Sequence, residues 1–153
     1  MNKSVFYFII VAFFLNACHN TINTYKNDLG VNPGSIAQMD TANYTTIEWV
    51  DTLRNFGTIK EGDSVFIKFK FKNSGDKALF ITAAHSTCGC AIVNYPEEAI
   101  LPGKKGEVTA TFKNKYHPGF IRQTIMVTAN TLNSINHILS FQGEVADSSG
   151  SLH

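Results

Sequence analysis

The chain is poor in the features that mark most functional classes. It carries three cysteines, four prolines and one tryptophan in 153 residues. Charge is nearly balanced, 13 basic against 12 acidic residues, with no basic stripe. Such a neutral chain does not suit nucleic acid, whose phosphates call for clustered cations. No apolar run reaches the length of about 18 residues that a membrane-spanning helix needs. Gly-x-Ser-x-Gly, His-Glu-x-x-His and phosphate-cradling glycine loops are all missing, which removes the common hydrolase, metalloprotease and nucleotide-binding readings. Glu97-Glu98 reads as a solvated loop pair, and His19, His137 and His153 have no partners in sequence. The expectation is therefore no enzyme, no cofactor and no small-molecule substrate.

What is present begins with a leader. Lys3 precedes an apolar run over residues 5–15. As a helix these residues span roughly 16 Å, about half a bilayer core, so the run reads as an export signal and not as a stable anchor. Leu15-Asn16-Ala17-Cys18 resembles the lipobox of bacterial lipoproteins, with Asn16 where Ser, Ala or Thr is commoner. The resemblance implies a signal peptide over residues 1–17, cleavage before Cys18, and lipid on the Cys18 thiol. Each buried methylene contributes about 0.8 kcal/mol, so two or three acyl chains hold a domain durably on a membrane. His19 follows Cys18 where Asp would retain the protein at the inner membrane, which by the enteric sorting rule fits the outer membrane.

Residues 18–45 are rich in Asn and Thr, contain Gly30, Pro33 and Gly34, and show no sustained period. They read as the lipidated cysteine followed by a flexible linker, with a reach of roughly 25–30 Å. Residues 46–146 are different. Val65, Ile67, Phe69 and Phe71 alternate with Lys68, Lys70 and Lys72, which predicts a strand with one core face and one solvated lysine face. Four similar segments follow, carrying Leu79 and Ile81; Val108, Ala110 and Phe112; Ile121, Ile125 and Val127; and Leu139, Phe141 and Val145. Residues 55–63 read as a bend and a turn, and Pro102-Gly103 suits the two centre positions of a type II turn. Aromatic content is dominated by 12 Phe, which favours strands. The pattern predicts an all-β fold, an immunoglobulin-like antiparallel sandwich of about seven strands, without the Cys…Trp…Cys framework of antibody domains. Residues 147–153 are Ser/Gly-rich and read as a disordered tail.

Four segments resemble, in this order, a single bacterial family. They are Phe56-Gly57-Thr58-Ile59-Lys60-Glu61-Gly62, Phe69-Lys70-Phe71-Lys72-Asn73-Ser74-Gly75, Ser86-Thr87-Cys88-Gly89-Cys90, and Leu101-Pro102-Gly103-Lys104-Lys105-Gly106-Glu107. The family is domain of unknown function 1573, common among exported lipoproteins of Bacteroides-like bacteria. The resemblance covers residues 56–145 and implies a fold and an envelope location, with no reaction attached.

Cys88-Gly89-Cys90 is the one stretch with chemical character. With Cys18 assigned to lipid, these two form an even pair in an oxidising compartment. Residues i and i+2 of an extended strand lie about 6.6 Å apart, at the upper edge of disulfide geometry, and Gly89 permits the tighter bend that closure needs. The first reading is structural, as a disulfide or as two small buried thiols. The second is metal capture, with His85, Cys88 and Cys90 as three ligands of Cu(I) or Zn and His117 in a distant loop. The third is redox exchange at an exposed disulfide, although no helix follows to activate a thiol. Ser86 and His85 point to opposite faces of a strand and cannot act as a hydrolytic pair. Trp49 and Phe66 are candidates for an outer docking patch, with core packing expected for Trp49. The function expected is a lipid-anchored module of the cell envelope, held to the membrane through Cys18, that binds an envelope protein or is structural. The alternative is Cu/Zn or thiol handling through the Cys-Gly-Cys segment.

Overall fold

The computed structural model describes residues 33–113 and 118–147. Eight strands form two four-stranded sheets packed face to face. The strands are β1 (Ile47–Trp49), β2 (Leu53–Lys60), β3 (Ser64–Asn73), β4 (Ile81–Ser86), β5 (Ala91–Asn94), β6 (Lys105–Lys113), β7 (Gly119–Ala129) and β8 (Asn136–Ala146). One sheet runs β1-β3-β6-β5 and the other β2-β8-β7-β4. With β1 as the first strand, these orders match the A-B-E-D and G-F-C sheets of the immunoglobulin sandwich. All ladders are antiparallel except β2 against β8.

The eighth strand comes from a split. The first strand of the sandwich changes sheets at residues 50–52. Val50 N–H still donates to Lys70 O of the first sheet, whereas Thr52 O accepts from Ser140 N–H of the second. Residues 55–60, expected as a bend, therefore belong to β2. The bend is nonetheless present as a bulge: register with β8 shifts between Asn55 and Thr58, and Asn55 Oδ1 accepts from Gly57 N–H at 2.8 Å. A bulge of one extra residue breaks the period of two, which hides the strand in the sequence.

Alternation builds the core. Ile67, Phe69 and Phe71 of β3 face Ala110, Val108 and Gly106 of β6, while Leu139 and Phe141 of β8 face Ile125 and Gln123 of β7. Phe69, Val108, Ile125, Val127, Leu139 and Phe141 are fully buried. Phe56, Phe112 and Phe141 join the sheets near β2, with ring centroids 5.3–6.3 Å apart. Phe56 reaches this position because Gly143 has no Cβ; one placed there would strike the Phe56 ring and Gly57 O. Trp49 packs on Phe71 with centroids 5.2 Å apart, as expected of a core neighbour.

The linker expectation needs correcting from residue 33 onward. Pro33–Met39 forms a helix, α1, with proline at its first position and Gly34 and Ala37 buried. A single 3-10 turn follows at Thr41–Asn43, capped by Asp40, whose Oδ1 accepts from Ala42 N–H at 2.9 Å. Asn130 Nδ2 then donates to Asn43 O at 2.8 Å, which ties the segment to the sandwich. A seven-residue helix is too short to show a period, so its sequence resembles a tether. The signal peptide, Cys18, His19, His117 and the tail from residue 148 lie outside the described residues.

Candidate functional site

The Cys-Gly-Cys segment carries the chain from one sheet to the other, between β4 and β5. Gly89 takes φ +65°, a left-handed conformation open to glycine at little cost. The resulting turn brings the two Cα atoms to 5.2 Å, closer than extended geometry allows, and Cys88 and Cys90 are joined as a disulfide. The turn is held from outside: Thr87 N–H donates to Thr124 O of β7 at 3.1 Å, and Thr87 Oγ1 donates to the same oxygen at 3.3 Å.

The two sulfurs are not equivalent. Cys88 Sγ accepts from Cys90 N–H at 3.1 Å and lies 3.1 Å from Ser86 Oγ. A disulfide sulfur has no proton, so the Ser86 hydroxyl is the donor. Cys88 Sγ thus receives two hydrogen bonds. The disulfide forms one wall of a depression of about 400 Å³, whose other sides are Ser64, Ile92, Thr111 and Lys113. Sheet register explains this company. Thr111 of β6 lies between Phe66 of β3 and Ile92 of β5, and these outward residues leave Phe66 56% and Ile92 70% exposed. Ile92 follows Cys90 by two residues, whereas Ser64, Thr111 and Lys113 are distant in sequence and are brought to the disulfide by sheet pairing.

His85 is not part of this arrangement. It pairs with Met126 across β4 and β7, whereas Ser86 pairs with buried Ile125. Alternation therefore turns Ser86 toward the disulfide and sends His85 to the opposite face. Among the described residues no three His, Cys, Asp or Glu side chains gather as a metal site, so His85, Cys88 and Cys90 do not converge as ligands.

A second feature lies at the β3 edge of the same sheet. β1 covers only the end of β3, pairing Ile47, Glu48 and Trp49 with Asn73, Lys72 and Phe71. Lys70 O accepts from Val50 N–H, so the backbone of even-numbered β3 residues is directed to that edge. Ser64, Phe66 and Lys68 consequently present N–H and C=O groups there with no strand beside them among the described residues. Beside this edge, β2 and β3 enclose a groove of about 620 Å³ that includes Arg54, Phe56, Phe66, Lys68 and Lys70. Lys68 is bridged to Glu107 at 3.1 Å.

The model of the family described as "Protein of unknown function (DUF1573)" matches residues 47–145. The chain belongs to this family. No curated protein matches it. Among solved structures, this DUF1573 chain is similar to a protein of unknown function from Porphyromonas gingivalis W83, at 13% identity and a TM-score of 0.59 over 77% of this chain. That match takes in 51% of the other protein, so the chain spans about half its length. It is also similar to the ASH / PapD-like domain of human CEP192 (PapD-like domain 7), at 16% identity and a TM-score of 0.51, covering 69% of this chain and 89% of that one. At these identities the likeness is one of fold, and it agrees with a β-sandwich.

Proposed function

We propose that this DUF1573 protein is an exported, lipid-anchored module of the outer membrane that acts by holding an extended segment of an envelope protein. The observation that carries this reading is the uncovered edge of β3 at Ser64, Phe66 and Lys68, where three donors and three acceptors await a strand. Strand addition at a sheet edge takes its affinity from such main-chain bonds. Arg54, Lys68 and Lys70 line the adjoining groove. Arg54 and Lys68 are paired with Asp51 and Glu107, so it is Lys70 whose charge repels a second copy of the same edge and favours an acidic segment. The leader, with Cys18 in its lipobox-like setting, supports delivery to the membrane.

The test uses two synthetic peptides, one alternating Glu with Val and the other Lys with Val. The mature protein is expected to bind the first and not the second. Phe66→Pro removes one outward N–H from an edge position, where proline is tolerated, and should abolish binding while Phe66→Ala preserves most of it. Equal binding of both peptides, or indifference to Phe66→Pro, ends the docking reading. Anchoring is checked separately, since Cys18→Ala should lose palmitate labelling and leave the membrane fraction.

A second reading, thiol handling by Cys88 and Cys90, is favoured by the two hydrogen bonds concentrated on one sulfur. Metal capture has no comparable support, because His85 points away from the pair.

A further inference from the structure

We propose that the Cys88–Cys90 disulfide is a thiol–disulfide exchange site for a carboxylate-bearing thiol, with Cys90 as the attacked sulfur and Cys88 as the leaving thiolate. The inference deepens the thiol-handling reading and rests on it.

The hydrogen bonds give the pair a direction. In exchange, the sulfur that departs as the more stable thiolate leaves faster. Cys88 Sγ already accepts from Cys90 N–H and from the Ser86 hydroxyl, both at 3.1 Å. Such bonds strengthen when the acceptor becomes an anion. Cys90 Sγ receives no corresponding donor among the described residues. Because Thr87 is held to Thr124 O through both its N–H and its hydroxyl, the turn has anchors that do not depend on the S–S bond. The donors therefore stay in place as charge develops on Cys88.

The depression beside the pair gives the class of thiol. Lys113 borders it and forms no ion pair with a described carboxylate. Its ammonium attracts a carboxylate on the incoming molecule, while Ile92 and the Thr111 side chain offer a surface for the thiol's aliphatic part. A peptide thiol such as glutathione satisfies both.

The step balances without another reagent. The thiolate sulfur attacks Cys90 Sγ and forms a mixed disulfide there. The Cys88–Cys90 bond breaks, and its electron pair stays on Cys88 Sγ. A second thiol of the same class can attack the bound thiol's sulfur, releasing its oxidised dimer and leaving Cys88 and Cys90 reduced.

The test mixes mature oxidised protein with glutathione, quenches with acid, alkylates free thiols and locates both groups by tandem mass spectrometry. Glutathione is expected on Cys90 and the alkyl group on Cys88. Ser86→Ala should slow reduction by glutathione about 3- to 10-fold, the effect of losing one donor to a developing anion. Lys113→Gln should slow glutathione severalfold and leave neutral 2-mercaptoethanol unchanged. Glutathione found on Cys88, or Lys113→Gln affecting both thiols equally, overturns the assignment while thiol handling stands. A pair inert to both thiols overturns the assignment and the thiol-handling reading together.

Discussion

Thr45 Oγ1 donates a 2.9 Å hydrogen bond to Asn73 Oδ1, and both residues are fully buried. The bond links two asparagine hubs at one end of the sandwich. Asn73 Nδ2 donates to Lys77 O and Ile100 O, each at 2.7 Å, while its Oδ1 also accepts from Gly75 N–H. Asn130 does the same on the other sheet: Nδ2 donates to Asn43 O and Ala78 O, and Oδ1 accepts from Phe80 N–H at 2.7 Å. Thr45 N–H donates to Asn130 O at 3.0 Å and so joins the hubs through one residue. Loops that would otherwise bury unpaired backbone groups are satisfied by these two side chains.

Asn73→Ala and Asn130→Ala are each expected to cost about 2 kcal/mol, because each removes hydrogen bonds to three partly buried backbone groups. Urea unfolding should show a lower midpoint at an unchanged slope. A loss below about 1 kcal/mol for either variant would mean that water replaces the side chain and that the hubs are dispensable.

Gly143 and Phe56 define a second dependency. A methyl at 143 collides with the Phe56 ring and with Gly57 O of the β2 bulge. Gly143→Ala should destabilise by about 2 kcal/mol, within the usual range for overpacking. Phe56→Leu in the same chain should recover part of the loss, since the two changes share one space. If the double variant is merely the sum of the singles, Phe56 is not the obstacle.

Much of the sandwich is legible because its strands keep strict alternation. Phe69, Phe71, Val108, Phe112, Val127, Leu139 and Phe141 all fall in the core that their phase predicts. Alternation also suffices to separate His85 from Ser86. The misses have physical causes. Gly57 sits in a bulge that breaks the period of β2. Asn73 and Asn130 look like turn residues by type, yet they are buried because they bind loop backbone that a single sequence does not show approaching. Lys113 reaches the disulfide through the register of β5 on β6, which pairs Ala91 with Phe112. No local pattern encodes that register. The preference for one sulfur depends on the Gly89 turn bringing Cys90 N–H back onto Cys88 Sγ.

His137 supplies a pH dependence. Thr131 Oγ1 donates to Ser134 O, so it must accept from His137 Nε2 at 2.7 Å, which fixes the Nε2–H tautomer. Burial lowers the His137 pKa below its ordinary 6.5. The unfolded chain then binds more protons than the folded one between the two values. His137 therefore favours folding above about pH 6.5 and progressively less as pH falls through the lowered value. Unfolding free energies measured from pH 8 to pH 5 should decline, and His137→Gln should flatten part of that decline. An identical slope in the variant would remove His137 from the account.

The disulfide itself should contribute little to stability. It closes a loop of three residues, for which the chain-entropy relation gives about 1.5 kcal/mol, far below the value for a bridge spanning a domain. Thr87 holds the same turn to Thr124 independently. Cys88→Ser/Cys90→Ser is thus expected to keep the fold, with unfolding free energy lowered by at most about 2 kcal/mol. Reduction of the native protein should produce a similar small change. A loss of 4 kcal/mol or more in either experiment would assign the pair to holding the sheet crossover and would take away the reason to look for chemistry there. A small loss leaves two unequal sulfurs that the fold does not need, Cys88 exposed and Cys90 half-buried at the wall of the depression.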